Sequence, residues 1–228
     1  MMKRKPTPLS PVTPYADREE ALADYVLAHI SPEDEYLHRL YRATQTQLLY
    51  PRMASGHLQG RLLRMLMQMI RPRLVLELGT FSGYSALAMA SGMEAGGRVI
   101  TFEVNDEQED FTRPWLEAAP YEARVEMIVG DAAQVLPTLG MVFDVAFIDA
   151  NKRDYIAYYR LLRPMMRPGG WMMADNTLWD GHVTDPAYDH DHQTQGIRQF
   201  NDYVAADNRV EQVIVPLRDG LTLIRKKD

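Results

Sequence analysis

The apolar positions change rhythm once along the chain. Up to residue 70 they recur at helical spacing. Leu22, Tyr25, Val26 and Ile30 share one face, Leu37, Leu40, Tyr41 and Leu48 a second, and Leu62, Leu63, Leu66, Met67 and Ile70 a third. Three helices are predicted there. The second opens at Ser31-Pro32-Glu33-Asp34, where a capping hydroxyl, a proline and two acids follow in the order a helix start favours. Beyond residue 73, short apolar runs alternate with helical ones. Strands are predicted over 74–78, 98–102, 125–129, 142–148 and 171–174, with helices over 85–90, 107–118, 133–136 and 155–165 between them. Such alternation builds a parallel sheet wrapped by crossover helices. After a helix over 197–206, strands over 210–216 and 221–225 flank Asp219-Gly220, the signal of an antiparallel hairpin.

Composition bounds the architecture. The 228 residues, 46% of them apolar, suit one large domain with an appendage. We read residues 1–16 as an extended arm stiffened by Pro6, Pro8, Pro11 and Pro14. Residues 17–228 then form one domain, with 17–71 a helical cover and 72–228 the sheet core. A formal charge of −6 argues against a general nucleic-acid coat. The absence of cysteine removes thiol catalysis, disulfides and cysteine-ligated metals, and fits a reducing compartment. Lys3, Arg4 and Lys5 lead into prolines rather than an apolar run, unlike a signal peptide. No apolar stretch approaches the roughly 20 residues that span a bilayer. A cytoplasmic protein without a membrane partner is expected.

The chemistry sits at the predicted strand ends, where open α/β sheets bind ligands. Gly79 and Gly83 make a strand-to-helix turn in Glu77-Leu78-Gly79-Thr80-Phe81-Ser82-Gly83-Tyr84-Ser85. The turn matches neither the three-glycine dinucleotide fingerprint nor a phosphate loop. Glu103 ends the second strand, where an acid can accept from both hydroxyls of a ribose. Gly130-Asp131-Ala132 ends the third and could edge an adenine. Asp149 ends the fourth strand, with Lys152 three residues on, and Asp175-Asn176 ends the fifth. Two carboxylates and an amide oxygen suit Mg²⁺, Mn²⁺ or Ca²⁺. Lys152 beside them could act as a base provided its pKa is lowered.

Taken together, Gly79-x-x-x-Gly83-Tyr84-Ser85, Asp149-x-x-Lys152 and Asp175-Asn176-x-Leu178-Trp179 resemble the cation-dependent S-adenosylmethionine O-methyltransferases, the family of the caffeoyl-CoA enzymes and catechol O-methyltransferase. The resemblance runs from Met53-Ala54-Ser55 and Gly60 to Asp219-Gly220. It implies an α/β class I methyltransferase fold: a doubly wound, mostly parallel seven-stranded sheet with a terminal antiparallel hairpin and an N-terminal helical cover. S-adenosylmethionine is then the methyl donor. Glu77, Gly79, Phe81 and Ser85 would line its methionine side, Glu103 would hold the ribose, and Asp131 and Ala132 would flank the adenine. Ser55 would close over the cofactor. Asp149, Asp175 and Asn176 would bind Mg²⁺ (or Mn²⁺ or Ca²⁺), Asp149 touching the cofactor as well. Lys152 would be the catalytic base, with Asp149 beside it, and Trp179 and His182 would contact the acceptor. The family often carries acids before the helix glycine, where this chain has Gly56-His57-Leu58-Gln59-Gly60. That wall is expected to bear on the lid or substrate.

The acceptor the resemblance implies is a catechol-type small molecule such as a caffeoyl ester or flavonoid. The alternative is a hydroxylated uridine in tRNA, because bacterial relatives modify such a base. A homodimer is expected. A nucleotide-binding oxidoreductase is disfavoured by the missing glycine and the terminal hairpin, and a non-catalytic cofactor-binding protein by the intact lysine and metal set. Asp189-His190-Asp191-His192 reads as a charged loop, because consecutive residues cannot easily converge on one ion. The 14 methionines read as adaptable core and lid filler.

Overall fold

A computed structural model describes residues 15–227. The predicted arm and its Lys3-Arg4-Lys5 tip lie outside them, except that residues 15 and 16 already begin helix α1, Tyr15–Ala28. The chain divides into two compact units, Met1–Pro32 and Glu33–Asp228. In the first, the expected apolar face of α1 is not a buried one. Leu22 and Tyr25 are exposed, and Tyr25 stacks on His29 with ring centroids 3.8 Å apart.

The second unit begins with α2, Glu35–Gln47. Its cap is Asp34, not Ser31: the Asp34 carboxylate accepts from Tyr36 N at 2.9 Å and Leu37 N at 3.3 Å. One carboxylate oxygen placed directly before the first turn accepts both bonds, the role of an N-cap. Helix α3, Gly56–Ile70, follows, and then strands and helices alternate: β1 Leu74–Leu78, α4 Tyr84–Ala90, β2 Arg98–Glu103, α5 Glu109–Glu117, β3 Arg124–Val129 and α6 Ala132–Leu139. The order continues with β4 Phe143–Ile148, α7 Tyr155–Met165, β5 Met166–Asp175, α8 His192–Ala205, β6 Val210–Val215 and β7 Leu221–Lys226. Helix α8 starts five residues before its predicted position because Asp191 caps it, accepting from Thr194 N at 2.7 Å. Strand β5 starts five residues early for another reason. The sequence Pro168-Gly169-Gly170 reads as a break, yet the strand carries it as an irregularity between the pairs Phe143–Met166 and Val145–Trp171.

The sheet order is β3-β2-β1-β4-β5-β7-β6. β1 to β5 pair in parallel, and β7 runs antiparallel to both its neighbours. Alternation along the strands sends side chains to two cores. Leu76, Leu78, Ile100, Phe102, Ala146 and Ile148 pack with α6, α7 and α8 residues such as Leu136, Tyr159 and Phe200. Val75, Val99, Val145 and Phe147 pack with Leu63 and Met67 of α3 and Met89 of α4. Each fully buried aliphatic of this kind contributes about 1.5–3 kcal/mol relative to exposure. Strands covered on both faces read as continuous apolar runs, which is why they were legible. Among the described residues no helix is long and apolar enough to cross a membrane.

Parallel pairing places the carboxyl ends of β1 to β5 on one edge. The order of connection reverses between β1 and β4, the switch point where such sheets open a crevice.

Candidate active site

A cavity of about 1180 Å³ opens at that edge. Its centre is set by the contact between β1 and β4. Asp149 N donates to Leu78 O at 2.8 Å, and Gly79, at φ +99, lies so close that a Cβ there would meet Asp149 O at 2.1 Å. Only glycine fits, and it leaves bare backbone facing the cavity. Gly83, at φ +79, turns the chain into α4.

On one side of this centre the site is built largely from backbone. The Glu103 carboxylate accepts from Phe81 N at 2.8 Å, Val104 N at 3.0 Å and Asn105 N at 3.0 Å. Three donors fix its place and leave lone pairs for a ligand's hydroxyls. Phe81, itself at φ +45, is held through its carbonyl by Thr112 Oγ1 at 2.6 Å. Gly79, Phe81, Ser85, Glu103, Asp131 and Ala132 all line the cavity. Asp131 does so while capping α6, accepting from Ala133 N at 2.9 Å and Gln134 Nε2 at 3.1 Å. Glu77 departs from expectation, because it does not line the cavity. It is fully buried on the face toward α3 and α4, and accepts from Thr101 Oγ1 at 2.5 Å. Burial pushes its pKa up to about 8 despite hydrogen bonds from Ser85 and Thr101.

On the other side the walls are charged side chains. Asp149, Lys152, Asp175, Asn176 and Trp179 line it. Lys152 Nζ donates to Asp149 Oδ1 at 2.7 Å and to the Tyr155 hydroxyl at 2.9 Å. That hydroxyl lies 3.1 Å from Ile148 O and 3.0 Å from Asp175 O, so it bridges the ends of β4 and β5. The Lys152 side chain is 9% exposed. Burial favours its neutral form, but the charge of Asp149 and the contact with Tyr155 outweigh burial and raise its pKa above the usual lysine value. The lowered pKa that a base needs is therefore not met by the protein alone. Asp175 is pushed up to about 6, first by burial and then by the charge of Asp149, against the pull of Gln59 and Lys152. The Lys152 ammonium stands 5.9 Å from the centroid of the Trp179 ring.

The donor set fits a hard cation. Asp175 Oδ1 accepts from Asn176 N at 2.9 Å and Oδ2 from Gln59 Nε2 at 2.6 Å, so each oxygen keeps a lone pair. Asn176 donates through Nδ2 to Asp219 Oδ2 at 3.2 Å, which leaves its amide oxygen free to act as a ligand. The negative charge of Asp149 makes ionisation of Asp175 costlier, the electrostatic condition that a cation relieves.

His182 does not join the site. Its ring stacks on Tyr188 at 3.5 Å and 10°, and it does not line the cavity. Stacking and the turn geometry of the 179–184 segment, with Asp180 and Gly181 in left-handed conformation, direct it elsewhere. Within Asp189–His192 the acids serve the loop: Asp189 pairs with Arg198 at 2.6 Å, and Asp191 caps α8. Two participants escaped the sequence reading, Tyr155 and Arg218, and Gln59 of the Gly56–Gly60 wall bears on Asp175 rather than lining the cavity. Tyr155 had a usable signal, since it lies three residues after Lys152 at the start of a helix.

The strand order, the single reversed strand and the glycine-lined carboxyl edge define a class I methyltransferase. The chain belongs to the O-methyltransferase family, whose pattern matches residues 28–227. It is 36% identical to mouse catechol O-methyltransferase domain-containing protein 1, over 74% of this chain and 66% of that protein. It is 30% identical to caffeoyl-CoA O-methyltransferase 2 of Populus trichocarpa, over 92% of this chain and 90% of that one. Its fold superposes with a TM-score of 0.85 on the O-methyltransferase TomG of Streptomyces achromogenes, solved in complex with S-adenosylmethionine, at 31% identity over 95% of this chain and 100% of that one. The protein is an S-adenosylmethionine-dependent O-methyltransferase.

Proposed function

We propose that this enzyme methylates a hydroxyl of a catechol-type small molecule in a reaction that requires a divalent cation. One observation carries the reading: Asp149, Asp175, Asn176 and Lys152, from two adjacent strand ends, line the same cavity as the bare backbone at Gly79. The similarity to a caffeoyl-CoA O-methyltransferase along nearly the whole chain supports the choice of acceptor.

In this reading Gly79, Phe81 and Ser85 hold the methionine side of the cofactor, Glu103 its ribose, and Asp131 and Ala132 its adenine, while Ser55 covers it. Asp149, Asp175 and Asn176 would hold the divalent cation, which would supply Lewis-acid chemistry that lowers the pKa of an acceptor hydroxyl. Lys152 Nζ, held by Asp149 and Tyr155, first gives up its own proton to solvent. It then takes the hydroxyl proton as general base, while the Tyr155 hydroxyl keeps Nζ aimed at the cavity. The acceptor oxygen bonds to the methyl carbon as the carbon–sulfur bond breaks. The products are a methyl ether, S-adenosylhomocysteine and a proton on Lys152. Trp179 offers an aromatic wall for the acceptor ring.

The test is methyl transfer to a catechol and to a caffeoyl ester after exhaustive chelation. Activity should vanish with EDTA and return with Mg²⁺ or Mn²⁺. Full turnover in the chelated enzyme would overturn the cation reading, and methylation of a hydroxyuridine in tRNA but of neither phenol would overturn the acceptor.

A further inference from the structure

Two contacts converge on Gln59, a residue only 2% exposed that does not itself line the cavity. Its Nε2 donates to Asp175 Oδ2 at 2.6 Å, and its Oε1 accepts from Arg218 Nη1 at 3.1 Å. An amide can sit in either of two orientations. Here a flip would set its oxygen against a carboxylate and its NH₂ against a guanidinium, so Arg218 selects the orientation that donates to Asp175. The same Nη1 donates to the backbone oxygen of Ser55, which lines the cavity.

Arg218 sits in the turn joining β6 to β7, at φ +50, backbone that favours glycine and is uncommon for a bulky residue. Such a conformation persists only where the surroundings over-determine it. This turn also grips the other side of the site: Asp219 O accepts from Leu178 N at 2.6 Å, and Asp219 Oδ2 from Asn176 Nδ2 at 3.2 Å.

We propose that Gln59 and Arg218 are positioning residues for methyl transfer. Arg218 orients the Gln59 amide, Gln59 fixes the Asp175 carboxylate for the cation, and the pair ties that carboxylate to the Ser55 wall. The proposal rests on the cation reading above. Partners that hold a metal ligand in place commonly change metal affinity 10–100-fold when lost.

The experiment is a Mn²⁺ titration followed by electron paramagnetic resonance, on the full chain with S-adenosylhomocysteine present. It compares wild type, Gln59→Met, Arg218→Gly and the double variant, with Tm measured alongside. Arg218→Gly removes the guanidinium but suits the backbone, so its Tm should hold or rise. We expect the Mn²⁺ Kd to rise about 10–100-fold in each single variant, and the double variant to bind no more weakly than Gln59→Met, because both changes act on one contact. Should Gln59→Met fail to fold, Arg218→Gly alone decides. Single variants that bind Mn²⁺ within about threefold of wild type, well short of that range, would overturn the proposal. Additive losses in the double variant would show that Arg218 does not act through Gln59. A wild type that binds no Mn²⁺ would overturn the cation reading itself, and this proposal with it.

Discussion

The two sides of the cavity are made by different physics. At the ends of β1 and β2 the groups that face a ligand are backbone atoms and one carboxylate already held by three backbone N–H donors. That side is complete before anything binds. At the ends of β4 and β5 the charge of Asp149 acts on the buried Lys152 and Asp175, and Gln59, from a distant segment, holds Asp175. The contrast separates binding the methyl donor, which needs a fixed cradle, from activating a hydroxyl, which needs charges that can be rearranged.

The charged side should give the largest response. Lys152→Arg keeps a positive charge but supplies a group that stays protonated near neutrality. We expect kcat to fall by roughly 10²–10⁴-fold, the range general-base catalysis covers, with little change in cofactor affinity. Raising the pH should partly rescue Lys152→Ala, because hydroxide can ionise the acceptor without the lysine. Near-normal kcat in Lys152→Arg at neutral pH would reduce the residue to an electrostatic support.

A smaller effect should come from Glu77, the buried carboxyl behind the cofactor side. Its pKa is raised from 4.5 to about 8 by burial. Below the unfolded value both states are protonated and Glu77 costs nothing. As the pH rises toward 8 the unfolded chain gives up this proton while the folded chain keeps it, so stability falls across that window. Thermal denaturation of the ligand-free protein from pH 5 to 8 should show a downward slope that Glu77→Gln flattens. Equal slopes in the two proteins would mean that Glu77 is ionised in the fold.

How legible each side was follows from the same contrast. The central strands could be placed because runs such as Val75-Leu76 and Val145–Ile148 are buried on both faces and stay apolar whatever packs on them, and the terminal pair because Asp219-Gly220 marks its turn. Glu103 and Gly79 could be assigned because their partners lie in adjoining strand-end turns. The charged side has no such local code. Gln59 lies 116 residues from Asp175 and 159 from Arg218, and a glutamine in a helix or an arginine in a turn is unremarkable until the fold joins them. His182 stands three residues after Trp179 in sequence, but two left-handed residues lie between them and only Trp179 lines the cavity. The lowered pKa that a base at Lys152 requires is not found, because Asp149 at 2.7 Å and Tyr155 together outweigh burial.

If the cradle is complete in the protein alone, it should work without the cation. The most direct measurement is calorimetric titration of S-adenosylhomocysteine into the chelated enzyme, for wild type and Glu103→Ala. Binding should be evident in EDTA for wild type, and loss of the Glu103 carboxylate should weaken it by about 1–3 kcal/mol, the worth of hydrogen bonds to a charged group. Binding that appears only after Mg²⁺ is added, or that is indifferent to Glu103→Ala, would contradict the division of the site into a preset cradle and a charge-built half.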